Sequence, residues 1–361
     1  MDPFLIGLLS LLVLGTVLAL IQTYRRDPCL RDFDGFYITL AEQDGDLCWG
    51  RAEIFSTGLE IVYPEPVRAP EGHLERSFIF YRDQYEALDA LYRFPGGLSD
   101  EERARRERVI RRTARPGLLR KLGRRLRNWI GMVRDALLQA IGLVIGAVKS
   151  RSPGSAVLGS QEQQIKALSS EVIGHVGNAF DPLLERHLYR PVVVELTRQG
   201  RKYSYCGWLK LYSSRFVEIV DVIANGAGTP LPPGDYAPGD ARLATLGLDV
   251  RVEAGRLRLH NQSPHVLFAR DVEAGTWQRR LGCMLPPGHT ADLVLPPETP
   301  PVTVRVWIGA VERFDMVVPR THAIIRHAAQ PGSLPAEAAP EEAPTLREPG
   351  GVSPPAPAPT T

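Results

Sequence analysis

An uninterrupted apolar segment opens the chain. Residues 4–21 carry no charged side chain, and a helix of this length would measure roughly 27 Å, close to the hydrocarbon core of a bilayer. A cleaved signal peptide would carry a basic start and a small-residue cleavage site, and a buried core helix would show a polar stripe. The pattern therefore predicts one transmembrane helix within residues 1–26.

The charges that flank this segment predict its orientation. Arg25 and Arg26 follow it, whereas no Lys or Arg precedes it. Positive charge near a membrane span favours the cytoplasmic side. We therefore expect a single-pass membrane protein with its amino terminus outside and the bulk of the chain in the cytoplasm.

Period-two alternation of apolar and polar positions follows the apolar segment. Residues 36–63 alternate in this way around an Asp-Gly turn at 44–45, which predicts paired strands. Residues 77–81 predict another short strand, and residues 84–93 predict a brief helix. These elements indicate a first β-rich module over residues 27–95.

Residues 96–150 instead show the three-and-four spacing of apolar positions that is typical of helices. Ser99 followed by Glu102 is a capping box, and it predicts a basic helix that ends near Ala114. A second helix, residues 118–148, carries basic side chains on one face in its first half and is almost wholly apolar in its second half.

The basic half of this second helix allows three interpretations. It favours contact with an anionic membrane surface, where each basic residue contributes about 1 kcal/mol. The alternatives are a soluble bundle helix with a solvated charged face and a nucleic-acid-binding arm. Gly142 and Gly146 form a GxxxG pair that would let another helix pack closely. The residues assigned to the membrane surface are Arg120, Lys121, Arg124, Arg125, Arg127 and Trp129.

Residues 190–222 return to the pattern of the first β-rich block. Residues 45–62 and 200–220 both contain a glycine turn, a strand with an internal glycine, and a closing Leu/Val-Glu-Ile-Val sequence. This correspondence indicates an internal repeat. Gly50 and Gly207 are the internal glycines, and we expect them to act as hinges at which a barrel strand bends.

The second copy resembles the Sm-like small β-barrel over residues 176–222. It has a preceding helix, the sequence V-x-V-x-L, a glycine turn, an aromatic residue, G-x-L-x-x-Y and a closing hydrophobic strand. The resemblance implies a barrel here and a degenerate copy at 36–63. RNA-binding members carry an Asp and an Asn that contact the base, whereas Ser213 and Val217 stand at those positions here. The resemblance therefore implies the barrel without its RNA-reading residues.

The C-terminal third predicts a second kind of β-domain. A Pro- and Gly-rich linker at 224–242 precedes short alternating segments, and turns recur among them every eight to twelve residues, the spacing of a β-sandwich. We place this sandwich at 243–328. The Pro-, Ala- and Glu-rich tail at 329–361 has few large apolar side chains, which predicts disorder.

Together these elements predict a membrane-anchored α+β protein. It would combine one N-terminal transmembrane helix, Sm-like or SH3-like β-barrel modules with an inserted amphipathic helical segment, a C-terminal all-β sandwich and a disordered tail. The expected divisions are the anchor 1–26, the first β-module 27–95, the basic helical segment 96–150, the helix and Sm-like module 151–223, the linker 224–242, the sandwich 243–328 and the tail 329–361.

Charge and motif content bear on function. The net charge is +2, but residues 101–127 carry twelve Lys or Arg and three Glu, or +9, so the remainder sums to 2 − 9 = −7. The four cysteines are scattered without a CxxC pair, which suits a reducing compartment. Phosphate-binding glycine loops, nucleophile elbows and metal-ligand spacings do not occur in the sequence. We expect no catalytic, cofactor or metal site.

The predicted function is that of a non-enzymatic scaffold or interaction protein tethered to the cytoplasmic face of a membrane. The Arg-rich helix would supply a second contact, with an anionic lipid surface, and the β-modules would present surfaces to protein partners or to copies of the chain. Two alternatives come from other classes. One is a membrane-held Sm-like RNA-binding protein, and the other is a subunit of an oligomeric channel, because Sm-like barrels also occur beside the membrane in small mechanosensitive channels.

Overall fold

The computed structural model describes residues 26–69, 73–114, 181–198, 200–224, 232–297 and 299–329. These residues form seventeen strands, four short α-helices and three turns of 3₁₀ helix. The helices are α1 (Pro28–Arg31), α2 (Asp100–Ala114), α3 (Pro182–His187) and α4 (Ala241–Leu246), and the 3₁₀ turns are Arg82–Glu86, Pro95–Gly97 and Pro301–Thr303. The strands are β1 (Tyr37–Glu42), β2 (Leu47–Ile54), β3 (Gly58–Arg68), β4 (Leu74–Tyr81), β5 (Leu88–Arg93), β6 (Pro191–Arg198), β7 (Arg201–Tyr212), β8 (Phe216–Ile223), β9 (Gly234–Tyr236), β10 (Leu248–Glu253), β11 (Arg256–Asn261), β12 (Leu267–Ala274), β13 (Trp277–Leu285), β14 (Thr290–Val294), β15 (Val304–Ala310), β16 (Arg313–Pro319) and β17 (Ala323–Ala328).

The strands form three antiparallel sheets. The largest has ten strands in the order β17-β6-β7-β8-β16-β5-β1-β2-β3-β4. A three-stranded sheet, β10-β11-β14, and a four-stranded sheet, β13-β12-β15-β9, share one apolar core and form a sandwich. Since β8 and β16 are neighbours in the large sheet, the sandwich is an insertion between two strands that pair with each other.

The predicted fold class, a membrane-anchored α+β protein, is wrong. The described chain is mainly antiparallel β-sheet with four short helices, and none of those helices is long and apolar enough to cross a membrane. The predicted membrane-spanning segment, residues 4–21, lies outside the described residues. The predicted helical segment is described only as far as α2, which begins at the capping box formed by Ser99 and Glu102, as predicted.

One local error shows why the sequence patterns predicted too much helix. Residues 84–93, predicted as a helix, form the end of a 3₁₀ turn and the strand β5, in which all six residues are buried. Both faces of this strand are covered, so its sequence LDALYR does not alternate regularly between apolar and polar residues, and periodicity cannot distinguish it from a buried helix. The strand β5 lies near the middle of the ten-stranded sheet, where that covering is complete.

Two segments of the large sheet have the same internal organisation. Unit 1 is defined as β1 to β5, in the order β5-β1-β2-β3-β4, and unit 2 as β6, β7, β8, β16 and β17, in the order β17-β6-β7-β8-β16. In each unit, the strand that comes last in the sequence pairs with the strand that comes first. The predicted sandwich at 243–328 therefore differs from the structure at its end, because β16 and β17 complete unit 2.

The pairing registers of the two units also match at the internal glycines. Gly50 lies opposite Ile38 and Gly207 lies opposite Val192, in each case the second residue of the unit's first strand. A Cβ atom on Gly50 would lie 2.3 Å from the carbonyl oxygen of Val62, and one on Gly207 would meet side chains of β8 at 2.8 Å. Glycine is therefore required at both positions by close approach of the neighbouring strand. The Sm-like resemblance itself stays a prediction.

Candidate functional site

A fully buried ion network lies where the two units join. Arg93 of β5 donates to Asp315 of β16 from Nε at 2.9 Å and from Nη2 at 2.7 Å. Arg106 of α2 donates to the two carboxylate oxygens of Asp315 at 2.8 Å each. Burial opposes ionisation of Asp315, but the adjacent Arg106 and Arg93 outweigh it and hold the pKa of this carboxyl well below its usual range. The network fixes α2 on the sheet.

Asp221, which is also buried, extends this network within unit 2. Its backbone N–H donates to Asp315 Oδ1 at 2.9 Å, and its carboxylate accepts from Arg313 at 2.7 Å. Asp221 has a φ of 54°, a left-handed conformation that non-glycine residues seldom adopt. Its buried partners hold it there. The charged groups of this network bind one another, so we interpret the network as structural.

A second buried pair lies within unit 2. Lys210 Nζ donates to Glu218 Oε1 at 2.8 Å and to Asp32 Oδ2 at 2.5 Å. The other oxygen of Glu218, Oε2, is buried without a hydrogen-bond partner among the described residues. Burial raises the pKa of Glu218 to about 7 despite the nearby Lys210. This carboxyl therefore titrates near neutral pH inside the protein.

A small polar cavity of about 60 Å³ lies where unit 1, unit 2 and the sandwich meet. Arg198 Nε donates to Asp89 Oδ2 at 2.7 Å, and His289 Nε2 lies 3.6 Å from the same oxygen. Arg198 also donates to the hydroxyls of Tyr92 and Tyr205. Burial, together with the charge of Arg198, lowers the pKa of His289. The cavity is lined by Gln43, Gly45, Asp89, Thr197, Arg198, Pro287, Gly288 and His289.

The size of this cavity and the tautomer of His289 limit the chemistry that the cavity can support. His289 Nδ1 lies 3.0 Å from the carbonyl oxygen of Pro287, which can only accept, and this contact favours the neutral tautomer with the proton on Nδ1. A cavity of about 60 Å³ is far below the volume of roughly 300 Å³ or more that small-molecule sites occupy. We interpret the cavity as a polar junction that positions the three parts of the fold.

An open cleft of about 390 Å³ lies between unit 1 and the sandwich. One wall is the 3₁₀ turn Pro95–Gly97, and the other is the hairpin of β12 and β13. We call this surface the cleft. It is lined by Gly96, Gly97, Phe268, Arg270, Asp271, Gln278 and Arg280.

Specific contacts fix the walls of the cleft. Arg280 Nη2 donates to the carbonyl oxygen of Gly97 at 2.7 Å and so ties one wall to the other. Phe268 forms the apolar floor and packs on Phe94 with ring centroids 4.3 Å apart. Arg270 lies over the ring of Trp307 at 4.2 Å. The cleft thus combines aromatic carbon with two guanidinium groups, a composition enriched at protein interfaces.

The predicted site residues fall in two groups. The predicted membrane-surface residues of the basic helix, Arg120 to Trp129, and the glycine pair Gly142 and Gly146 lie outside the described residues. At the positions where RNA-binding Sm-like proteins carry Asp and Asn, Ser213 Oγ accepts from the backbone N–H of Phe216 at 2.9 Å, and Val217 is buried in the core. Both positions serve the turn and core of unit 2.

Sequence reasoning missed the cleft, the polar junction and the ion network. Asp315 within the apolar run Phe314–Val318 and Lys210 within residues 207–212 were the available signals, since a charge flanked by core residues in a strand needs a buried partner. The cleft left no such signal, because its lining comes from three separate parts of the chain. Within the described ranges, no cluster of three or more metal-ligating side chains occurs.

Comparison with known proteins adds no relative. No family model matches the chain, and neither a curated protein nor a solved structure is significantly similar to it. The function is therefore argued from the geometry of the chain's own residues.

Proposed function

We propose that the protein is a non-enzymatic scaffold that binds a polypeptide segment in the cleft and works at the cytoplasmic face of a membrane. The observation that carries the binding role is the bond from Arg280 to the carbonyl oxygen of Gly97, which spans the cleft and sets its width. A cleft held in one shape binds with a smaller loss of conformational freedom than one that must form on binding.

The walls of the cleft belong to elements that are themselves fixed. The turn Pro95–Gly97 directly follows β5, whose Arg93 is bonded to Asp315. The opposite wall, β13, is tied to β1 by two bonds: Tyr37 donates to the carbonyl oxygen of Leu281 at 2.7 Å, and the N–H of Met284 donates to Thr39 at 2.9 Å. The two walls therefore keep their separation, which favours a preformed binding surface.

The charge of the cleft indicates the chemistry of the partner. Arg270 and Arg280 contribute two positive charges, and Asp271, which pairs with Arg270 at 2.6 Å, contributes one negative charge. Each guanidinium carries five N–H donors and no acceptor. The cleft therefore suits a segment that supplies carboxylates or backbone carbonyls to the arginines and an apolar side chain to Phe268.

The membrane placement rests on the sequence alone. The apolar segment 4–21 and the basic face of residues 118–148 are its expected lipid contacts. If the chain without residues 1–26 remains bound to membranes at low salt and leaves them at high salt, the basic contact exists. A fully soluble remainder at low salt would remove it.

Site-specific photo-cross-linking in cells tests the cleft. A photoreactive residue in place of Gln278, which is exposed on the cleft wall, should give discrete adducts with one or a few polypeptides. The same residue in place of Gln262, which is exposed elsewhere on the sandwich, is the matched control. Arg270→Glu and Arg280→Glu should each abolish the adducts formed at position 278. Equal adducts at both positions, or adducts that neither charge reversal changes, would contradict the proposal.

A further inference from the structure

The ten-stranded sheet ends in two strands whose outer edges carry no partner strand in the described chain. They are β4 at one end and β17 at the other. Ile79 of β4 is 52% exposed, and Leu74, Tyr81 and Ile324 are also exposed. An open edge with apolar side chains is a template for pairing with another strand. The internal repeat indicates which strand would pair with each open edge.

The two units already show how one unit pairs with another. Inside the chain, the last strand of unit 1, β5, pairs antiparallel with the fourth strand of unit 2, β16. The equivalent of β5 in unit 2 is its last strand, β17, and the equivalent of β16 in unit 1 is its fourth strand, β4. These two strands do not pair with each other inside the chain. The two open edges are thus the equivalents of the two edges that join inside the molecule.

The register of the last strands can be matched residue by residue. Leu91 of β5 lies opposite Leu40, and Ile325 of β17 lies opposite Val194. Leu40 and Val194 each lie two residues after the residue that faces the internal glycine of their unit. Leu91 and Ile325 are therefore equivalent.

The fourth strands can be matched in the same way. Val317 of β16 lies opposite Glu218, and Ile79 of β4 lies opposite Glu60. Glu60 and Glu218 are the glutamates of the repeated Leu/Val-Glu-Ile-Val sequence. Val317 and Ile79 are therefore equivalent.

We propose that copies of this chain associate head to tail, with β17 of one copy pairing antiparallel with β4 of the next. Since Val317 lies opposite Leu91 inside the chain, Ile79 of one copy lies opposite Ile325 of the next copy. Ile79 is exposed in the single chain, whereas Val317 and Leu91 are fully buried. The contact buries Ile79 of one copy, as the pairing of β16 with β5 inside the chain buries the equivalent residue Val317. This contact does not involve the cleft.

The contact between copies is weaker than the internal junction. Arg93 lies opposite Asp315 inside the chain, two positions along the ladder from the pair Leu91 and Val317. The equivalent positions are Ala328, which follows the bulge between Ile325 and His327, and Ser77. The buried ion network therefore has no counterpart between copies, and the association is reversible. Because different surfaces meet, the contact is heterologous and generates a ring or an open filament.

Cross-linking between two variants that each carry one added cysteine tests the register. Full-length Ile79→Cys and Ile325→Cys chains are purified in detergent, mixed and treated with a short bis-maleimide. The mixture should give a covalent dimer, and neither variant alone should exceed the background of the unsubstituted chain. Val302→Cys, at a position 83% exposed, replaces Ile325→Cys in the control mixture. No dimer in the test mixture, a dimer from Ile79→Cys alone, or equal yield with Val302→Cys overturns the proposal.

Sedimentation velocity of the full chain over a range of concentrations provides the second measurement. The unsubstituted chain should sediment faster as its concentration rises. Ile79→Lys and Ile325→Glu should each weaken association about tenfold, the factor that about 1.4 kcal/mol represents, and the double variant should recover association because the new charges face each other. A chain that stays monomeric at every concentration overturns the proposal.

Discussion

Arg93 and Asp315, which are 222 residues apart in the sequence, form a two-bond ion pair at the centre of the ten-stranded sheet. Their side chains are almost completely buried, and Arg93 also lies over the ring of Phe36 at 4.4 Å. The pair joins the last strand of unit 1 to the fourth strand of unit 2. Asp315 follows the sandwich in the chain, so the pair connects unit 1 to the segment that returns from the sandwich.

Asp315→Asn should destabilise the protein strongly. The change removes the negative charge that Arg93 and Arg106 share. It leaves Arg93 buried without a counter-ion and leaves Arg106 with only the more distant Asp221, 3.5 Å away. Breaking one partner of a buried pair typically costs about 3–5 kcal/mol. Urea unfolding of the full chain would measure this loss as a lower midpoint.

Asp249→Asn is the control for that substitution. Asp249 pairs with Arg251 on the surface of the sandwich, where the arginine is well exposed. Surface pairs contribute at most about 1 kcal/mol, so this variant should unfold close to the unsubstituted chain. Equal losses for the two variants would mean that the buried network does not hold the units together.

Gly50→Ala should destabilise unit 1 through overlap with the neighbouring backbone. The new Cβ would lie 2.3 Å from the carbonyl oxygen of Val62, so β2 and β3 must separate to admit it. Overpacking of this kind typically costs about 1–3 kcal/mol, and thermal unfolding would detect it. Gly234→Ala is the control, since nothing lies within 4 Å of its Cβ position. Similar melting temperatures for the two variants would argue against close approach at Gly50.

Local signals in the sequence identified many of the elements. The capping box at Ser99 marked the start of α2. Asp181 before Pro182 is a signal of the same kind, since in the structure the aspartate accepts from two backbone N–H groups in the first turn of α3. The alternating segments after residue 243 correspond to β10 to β16. These signals act over a few residues, so the sequence carries them without knowledge of the fold.

Pairing over long distances could not be read from the same patterns. Alternation shows that Phe314–Val318 is a strand, but its neighbours β8 and β5 lie about a hundred and more than two hundred residues away. The polar junction is harder still, since Asp89, Arg198 and His289 come from three elements and none of them stands in a motif. The chemistry of such a group exists only after the units and the sandwich have packed together.

Arg198→Lys should destabilise the polar junction although the charge is kept. Lysine can replace the bond to Asp89, but it cannot also reach the hydroxyls of Tyr92 and Tyr205 as the planar guanidinium does. A hydrogen bond to a charged group is worth about 1.5–3 kcal/mol, and a loss of this size should appear in urea unfolding. Arg251→Lys, at an exposed position, is the control and should change stability little. If Arg198→Lys were as stable as this control, the contacts with Tyr92 and Tyr205 would not contribute to stability.

Glu218→Gln should change how stability depends on pH. Burial raises the pKa of Glu218 to about 7 from the ordinary value of 4.5. Between these two pH values the unfolded chain releases the proton while the folded chain keeps it, so the contribution of Glu218 to stability is complete below about pH 4.5 and is lost as the pH rises through 7. The stability of the unsubstituted chain relative to Glu218→Gln should therefore fall between pH 4.5 and 8.

The expected fall is on the order of 3 kcal/mol, because each unit of pKa difference corresponds to about 1.4 kcal/mol. Urea unfolding of both proteins at several pH values would measure it, and titrations common to the two proteins cancel in the comparison. Glu60→Gln, at the equivalent half-buried position of unit 1, is the matched control for the substitution itself. A constant difference between Glu218→Gln and the unsubstituted chain from pH 4.5 to 8 would show that Glu218 stays ionised in the fold, held by Lys210 at 2.8 Å.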